Sequence, residues 1–204
     1  MRRGWLIGSA LCLLILVMVA ARTPYFPGDV VAARWIQGLV PGGPGWAEVV
    51  TTTATFPWYL LLLAAVVLLT QRLAGWGIGL MSIPSFLGMW GLGILMKAWI
   101  FRPRPSSDLV EVIGSPSGSA FPSTFALTYG AMFGFLLWVS LRKGLRRGGL
   151  GPALFSLFLL TAGGTARVVL GGHWPSDVLV SYAIALFWVG ILFGIIDTIR
   201  RSKR

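Results

Sequence analysis

The chain reads as an all-α, polytopic membrane protein: a bundle of six transmembrane helices with both termini cytoplasmic. Three observations lead there. Hydrophobic residues fill 56% of the 204 positions and charged residues only 11%, where soluble domains carry about 25% charged residues. The apolar residues come in long runs rather than at amphipathic spacing, and a run of about 20 is the length of a bilayer crossing. Basic residues gather in short groups flanking those runs, as topology signals do. The length suits one domain over residues 1–204, with no room for a second globular unit.

Six apolar runs are expected to span: 5–21, 56–69, 76–98, 121–141, 150–166 and 178–199. The second is short and is expected to begin earlier, within the Thr-rich stretch 49–55. Gly163 and Gly164 interrupt the fifth near its end, and such glycines let membrane helices approach closely. The first run, with Arg2 and Arg3 ahead of it and small residues at 19–21, also has features of a cleaved signal peptide, but its length favours a span.

Arg2 and Arg3 precede the first run, and Arg72 lies between the second and third. Arg142, Lys143, Arg146 and Arg147 follow the fourth, and Arg200, Arg201, Lys203 and Arg204 follow the sixth. If the six spans alternate, all four groups share one side, which the positive-inside rule makes cytoplasmic. The formal net charge of +11 is thereby used by topology, and no nucleic-acid partner is expected. The single cysteine, Cys12, lies inside the first run. It excludes an intramolecular disulfide and a Cys-rich metal site.

Segments 22–55, 99–120 and 167–177 then lie outside. Residues 29–40 set Val30, Val31, Ile36 and Val40 against Arg34 and Gln37, the pattern of an interfacial amphipathic helix. A cap over the bundle is the preferred role, ahead of a gate. Pro41, Gly42, Gly43, Pro44 and Gly45 follow as a turn.

The outside segments hold charges that topology does not require. Lys97 closes the third run, with Arg102 and Arg104 just beyond. Arg167 closes the fifth, and His173 and Asp177 follow it. Ionisable groups at membrane depth are expensive and commonly functional. Converging cations repel one another unless an anion such as phosphate sits among them, and arginine presents a planar fork to two phosphate oxygens. Ser123 and Thr124 open the fourth run, where free N–H groups and the helix dipole favour an anion; Ser123 can equally be a simple cap. Asp177, four residues after His173, can lie near the imidazole, fix its tautomer and leave the other nitrogen as nucleophile or base. A purely structural His173 is the plain alternative. A metal is not expected, since no second His or Cys is available to join it.

The ordered blocks are 97–105 (Lys-x6-Arg-Pro), 121–126 (around Pro122-Ser123-Thr124) and 167–177 (Arg-x5-His-x3-Asp). Together with the six-run layout they resemble the type 2 phosphatidic acid phosphatase superfamily over nearly the whole chain. That superfamily also holds soluble vanadium haloperoxidases and acid phosphatases; the apolar runs here point to its membrane branch. The resemblance implies that His173 attacks phosphorus and forms a phosphohistidine. It implies that Asp177 orients His173, and that Lys97, Arg104 and Arg167 hold phosphate oxygens. Ser123 and the backbone N–H of Thr124 would donate to the same group. No cofactor or metal is implied. Arg102 is not a motif position and is expected to be solvated.

One position departs from the pattern. The middle block of that superfamily ends in a histidine acting as general acid, and here Phe125 stands there. A general acid is worth about 10²–10⁴ in rate. Three readings follow. The chain can be a phosphatase whose substrate needs little acid help, because a lipid monophosphate leaves more readily than a lipid alkoxide; undecaprenyl diphosphate fits this, and phosphatidic acid-type substrates fit it less well. It can be an impaired relative that binds or transports lipid phosphates, or a phosphatase whose general acid has been substituted. A nearby Pro116-Ser117-Gly118-Ser119 also lacks histidine and lies in the loop. The expected function is a metal-independent lipid phosphate or diphosphate phosphatase, its site on the outer face of the cell membrane. The expected partners are a phosphorylated lipid and the bilayer, and the oligomeric state is not readable.

Overall fold

The computed structural model describes residues 3–39 and 44–202. Val40 and the first three residues of the expected turn, Pro41 to Gly43, lie outside the described residues. Helices α1 (Arg3–Arg22), α2 (Asp29–Leu39), α3 (Gly45–Thr52), α4 (Trp58–Ala74), α5 (Trp76–Gly79), α6 (Ser82–Trp99), α7 (Thr124–Lys143), α8 (Leu150–Val169) and α9 (Pro175–Ser202) follow in order, with no strand among the described residues.

Four segments are long and apolar enough to cross a membrane: Trp76–Trp99, Thr124–Lys143, Leu150–Val169 and Pro175–Ser202. The apolar helices Leu6–Arg22 and Trp58–Ala74 are shorter. The expected early start of the second run does not occur. The Thr-rich stretch forms the end of the separate helix α3, and Pro57 caps α4. Proline has no N–H to give a continuing helix, but it is tolerated where a new one begins.

Helix α7 is the axis of the bundle. It packs against α4, α6, α8 and α9, and 78% of its span is buried. The packing residues are large: Phe125, Tyr129, Met132, Phe133 and Leu136 form one cluster with Val66 and Phe86. Gly163 of α8 makes this possible. A Cβ there would lie 2.8 Å from Phe125 Cε1 and 2.9 Å from Tyr129 Cδ1, so only glycine leaves room for the two rings. The outer faces stay apolar, as with Leu11, Leu14, Ile94, Leu95, Leu154 and Phe158, which suits a surface solvated by lipid. Helix α1 lies against α9, with Ala20 fully buried in a cluster with Phe121 and Ala185.

The amphipathic helix α2 packs against α8 and α9, with Val30 and Ile36 against the core. Two of its polar residues also bond to the 109–111 loop: Arg34, itself exposed, donates from Nε to Leu109 O at 2.7 Å, and Gln37 Nε2 donates to Glu111 O at 2.7 Å. Val31 and Trp35 point outward. The backbone carbonyls of the 109–111 loop need donors, and α2 supplies them.

Candidate active site

The bundle brings the ends of α6 and α8 and the starts of α2, α7 and α9 to one pole. Lys97 sits in the last turn of α6, Arg167 in the last turn of α8 and Asp177 in the first turn of α9. His173 lies in the tight connection between α8 and α9. Gly171, at φ +63°, makes that connection possible, because a Cβ there would meet Glu111 O at 2.2 Å.

His173 is 3% exposed. Its Nδ1 lies 2.6 Å from the carbonyl oxygen of Ala120. A carbonyl only accepts, so Nδ1 carries the hydrogen and the neutral ring keeps its lone pair on Nε2. Burial first, then the charges of Arg167, Arg104 and Lys97, push the imidazole well below its ordinary titration range. The ring is therefore neutral and nucleophilic at pH 7.

The expected orienting role of Asp177 is changed by this geometry. Its Oδ2 lies 3.9 Å from His173 Nδ1, beyond hydrogen-bond distance. The carboxylate instead accepts from the Trp174 amide at 2.9 Å and pairs with Arg102. The sequence reasoning missed Ala120, whose side chain carries no chemistry; only the backbone acceptor matters.

Arg102 also overturns its expectation. It is 1% exposed. Its guanidinium sits between Asp177 and Asp29, donating to Asp29 Oδ2 at 3.4 Å, to Ser176 Oγ at 3.1 Å and to Thr23 O at 3.1 Å. A buried guanidinium must be paired or it would carry a large desolvation penalty, and two of the six acidic residues of the chain meet it. Its being charged and flanked by Phe101 and Pro103 in the connection between α6 and α7 was the only sequence signal.

Ser123 is the N-cap of α7 and its Oγ accepts from Ala126 N at 3.3 Å. The hydroxyl hydrogen has no acceptor, and the amides of Thr124 and Phe125 no carbonyl partner, among the described residues. That end of α7 is ready to receive an anion. Lys97 Nζ donates to Ser119 O at 2.9 Å. Arg104 donates to Ser117 O at 2.8 Å and Gly172 O at 2.5 Å. The Pro116-Ser117-Gly118-Ser119 segment thus supplies backbone acceptors to two of the three cations. Arg167 is the least satisfied: its Nε is buried without a partner and its Nη1 lies 3.5 Å from Thr51 Oγ1.

Phe125 stacks on Tyr129 with ring centroids 4.1 Å apart, and the Arg167 guanidinium lies 5.7 Å from its ring centre. Beside it opens a cleft of about 230 Å³ lined by Thr51, Thr55, Tyr59, Trp90, Thr128 and Arg167, among others.

A family model described as the PAP2 superfamily matches residues 58–201. The chain belongs to the PAP2 superfamily. No curated protein matches it in sequence. Among solved structures it is similar to "the first transmembrane PAP2 type phosphatidylglycerolphosphate phosphatase from Bacillus subtilis", with a TM-score of 0.66 and 22% identity over 95% of this chain and 96% of that one. At that identity the likeness is one of fold, and the fold is that of a membrane protein. The PAP2 match begins at Trp58, so α1, α2 and α3 lie outside it, and with them Asp29 and Thr51.

Proposed function

We propose that this PAP2 protein is a metal-independent phosphohydrolase acting on a lipid phosphate, with isoprenoid diphosphates favoured over simple lipid monophosphates. The neutral, buried His173 with its lone pair on Nε2, beside three cations, is the observation that carries the reading. Nε2 donates its electron pair to phosphorus and the bond from phosphorus to the leaving oxygen breaks, that oxygen keeping the pair. Lys97, Arg104, Arg167, Ser123 and the Thr124 amide neutralise the charge on the transferring group. The Nδ1–H bond to Ala120 O stabilises the positive ring that forms. Water then attacks the phosphohistidine, releasing inorganic phosphate and restoring His173. We place six crossings in the bilayer, counting α1 and α4, with the site at the outer face and both termini inside.

Phe125 decides the leaving group. Packed between Tyr129 and Gly163, it carries no proton, so a strongly basic alkoxide leaves slowly. The phosphate monoester released from a diphosphate is a far weaker base and needs no acid. Undecaprenyl diphosphate is such a substrate; phosphatidic acid and phosphatidylglycerolphosphate release an alkoxide. Phe125 is equally what favours a second reading, a lipid-phosphate binding protein without turnover.

Phosphate release in detergent, from a lipid diphosphate and a lipid monophosphate, separates these. The protein should cleave the diphosphate faster, and Phe125→His should raise monophosphate cleavage selectively, by up to the 10²–10⁴ or so a general acid supplies. Release no greater than that of His173→Ala, even with Phe125→His, removes the phosphatase reading. Equal acceleration of both substrates removes the leaving-group preference.

A further inference from the structure

Arg102 lies outside the PAP2 motifs, and its side chain is sealed from solvent with four of its five guanidinium N–H donors already bonded, to Thr23, Asp29, Ser176 and Asp177. Its ring-face neighbour is Phe26, 4.9 Å away. Arg167, by contrast, keeps a buried Nε without a partner. One arginine is consumed by protein, the other is open to an anion.

The backbone of Arg102 makes a second set of bonds. Its N–H donates to Ser119 Oγ at 3.1 Å, and its C=O accepts from Ala120 N at 2.8 Å. Ala120 is the residue whose carbonyl holds His173 Nδ1. The carboxylate nearest Nδ1 is Asp177, 3.9 Å away and not bonded to it, and the Arg102 side chain holds that carboxylate. The acceptor of the ring and the carboxylate nearest it are therefore both held by one residue. Asp29, at the start of α2, completes the clamp. It accepts from the Ser176 amide at 2.9 Å and Ser176 Oγ at 2.6 Å, tying Arg102 and α9 to α2.

We propose that Arg102 is a positioning residue for His173: its backbone fixes the Ala120 carbonyl that orients Nδ1, its guanidinium holds the Asp177 carboxylate beside the ring, and Asp29 of α2 holds the guanidinium in place. A clamp of this kind sets the direction of the Nε2 lone pair without touching the phosphate. A small misplacement of a nucleophile costs up to about 100-fold in rate, so turnover should be affected more than binding.

His173 is the only histidine in the chain, so ring-labelled [15N]histidine in protein purified without a histidine tag gives one pair of nitrogen signals. The wild-type pair should be that of a fixed neutral ring, Nδ1 protonated and Nε2 bare. In Arg102→Gln the two signals should move toward each other as the tautomers mix, and Arg102→Lys, which keeps the charge but not the fork, should fall between. Where Arg102→Gln does not fold, Arg102→Lys and Asp29→Ala are read in its place. Unchanged ring signals in a folded variant overturn the proposal. The effect on turnover rests on the phosphatase reading: kcat should fall on the order of 10- to 100-fold with KM within about twofold, while Arg167→Gln raises KM. A variant that raises KM and leaves kcat alone makes Arg102 a phosphate ligand and overturns the clamp. If the wild-type protein releases no phosphate from any lipid, the phosphatase reading falls and the ring signals alone decide the positioning role.

Discussion

The two poles of the bundle carry their charge in opposite ways. At the His173 pole, Arg102 is sealed between Asp29 and Asp177, with side chains 0–4% exposed. At the other pole Arg142 meets Asp197 through two bonds of 2.9 and 2.8 Å, but the pair is 45% and 37% exposed. Lys143 and Arg200 line a neighbouring cleft, and Arg146 and Arg147 stand in solvent. The geometry of the exposed pair is the better of the two, yet water screens it. What separates the two pairs is not the residue type but whether the partners are buried together.

The same substitution at both poles tests this directly. Arg102→Met keeps the length of the side chain and leaves two carboxylates buried without a cation. Breaking a buried pair in this way costs about 3–5 kcal/mol, and here the loss includes the bonds to Thr23 and Ser176. Unfolding in detergent, by heat or by titration with a denaturing surfactant, should show this as the largest loss of any single variant considered. A loss below about 1 kcal/mol, the usual worth of an exposed pair, would erase the distinction between the poles.

The difference between the poles also marks where sequence reasoning stopped. Apolar run length and basic clusters locate α6 to α9 closely, because bilayer thickness and charge placement act along the chain. The positions of Lys97, Ser123, Thr124, Arg167, His173 and Asp177 near helix ends were legible for the same reason. Arg102 was not, because its burial depends on Asp29 arriving from 73 positions away. Ala120 was not, because a backbone carbonyl leaves no trace in side-chain type. The break between α3 and α4 was missed because a Thr-rich stretch ahead of a proline reads as the lead-in to a span. The bonds from α2 to the carbonyls of Leu109 and Glu111 were not legible, because they join residues 75 and 74 positions apart.

The next effect in size lies just below the site, where α8 meets α7. Gly163→Ala places a methyl group 2.8 Å from Phe125 and 2.9 Å from Tyr129, and the rings are held by their mutual stacking. Overpacking of this kind costs about 1–3 kcal/mol. Combining it with Phe125→Leu should recover part of the loss, since the nearer of the two clashes is removed. Full additivity of the two changes would mean that Phe125 is not what limits the approach of the helices.

The His173 pole should respond to pH through its only imidazole. Burial and three cations hold that ring below its ordinary value, while in the unfolded chain it titrates near 6.5 or so. As pH falls below about 6.5, the unfolded chain takes up a proton that the fold refuses, so stability drops. Above that pH both states are neutral and the contribution vanishes. The slope attributable to His173 is at most about 1.4 kcal/mol per pH unit. It is read as the difference between the wild-type protein and His173→Gln between pH 7 and pH 5. The [15N]histidine signals should stay those of a neutral ring at pH 6; a protonated ring there would remove the cationic environment inferred for the site.

The smallest effect belongs to the opposite pole. Arg142→Met removes two short hydrogen bonds to Asp197 but leaves an aspartate that is 37% exposed and can be hydrated. The methionine keeps the apolar contact that the arginine makes over Phe193, where its guanidinium lies 4.9 Å from the ring centre. Exposed pairs are worth 0–1 kcal/mol or so and are screened by salt, so the loss should be under about 1 kcal/mol and should shrink further in 1 M salt. Arg102→Met, whose partners are sealed from solvent, should lose the same amount at low and high salt. If instead the Arg142 variant were the salt-independent one, the exposed pole would be the one holding the bundle together, and burial would not be the property that distinguishes them.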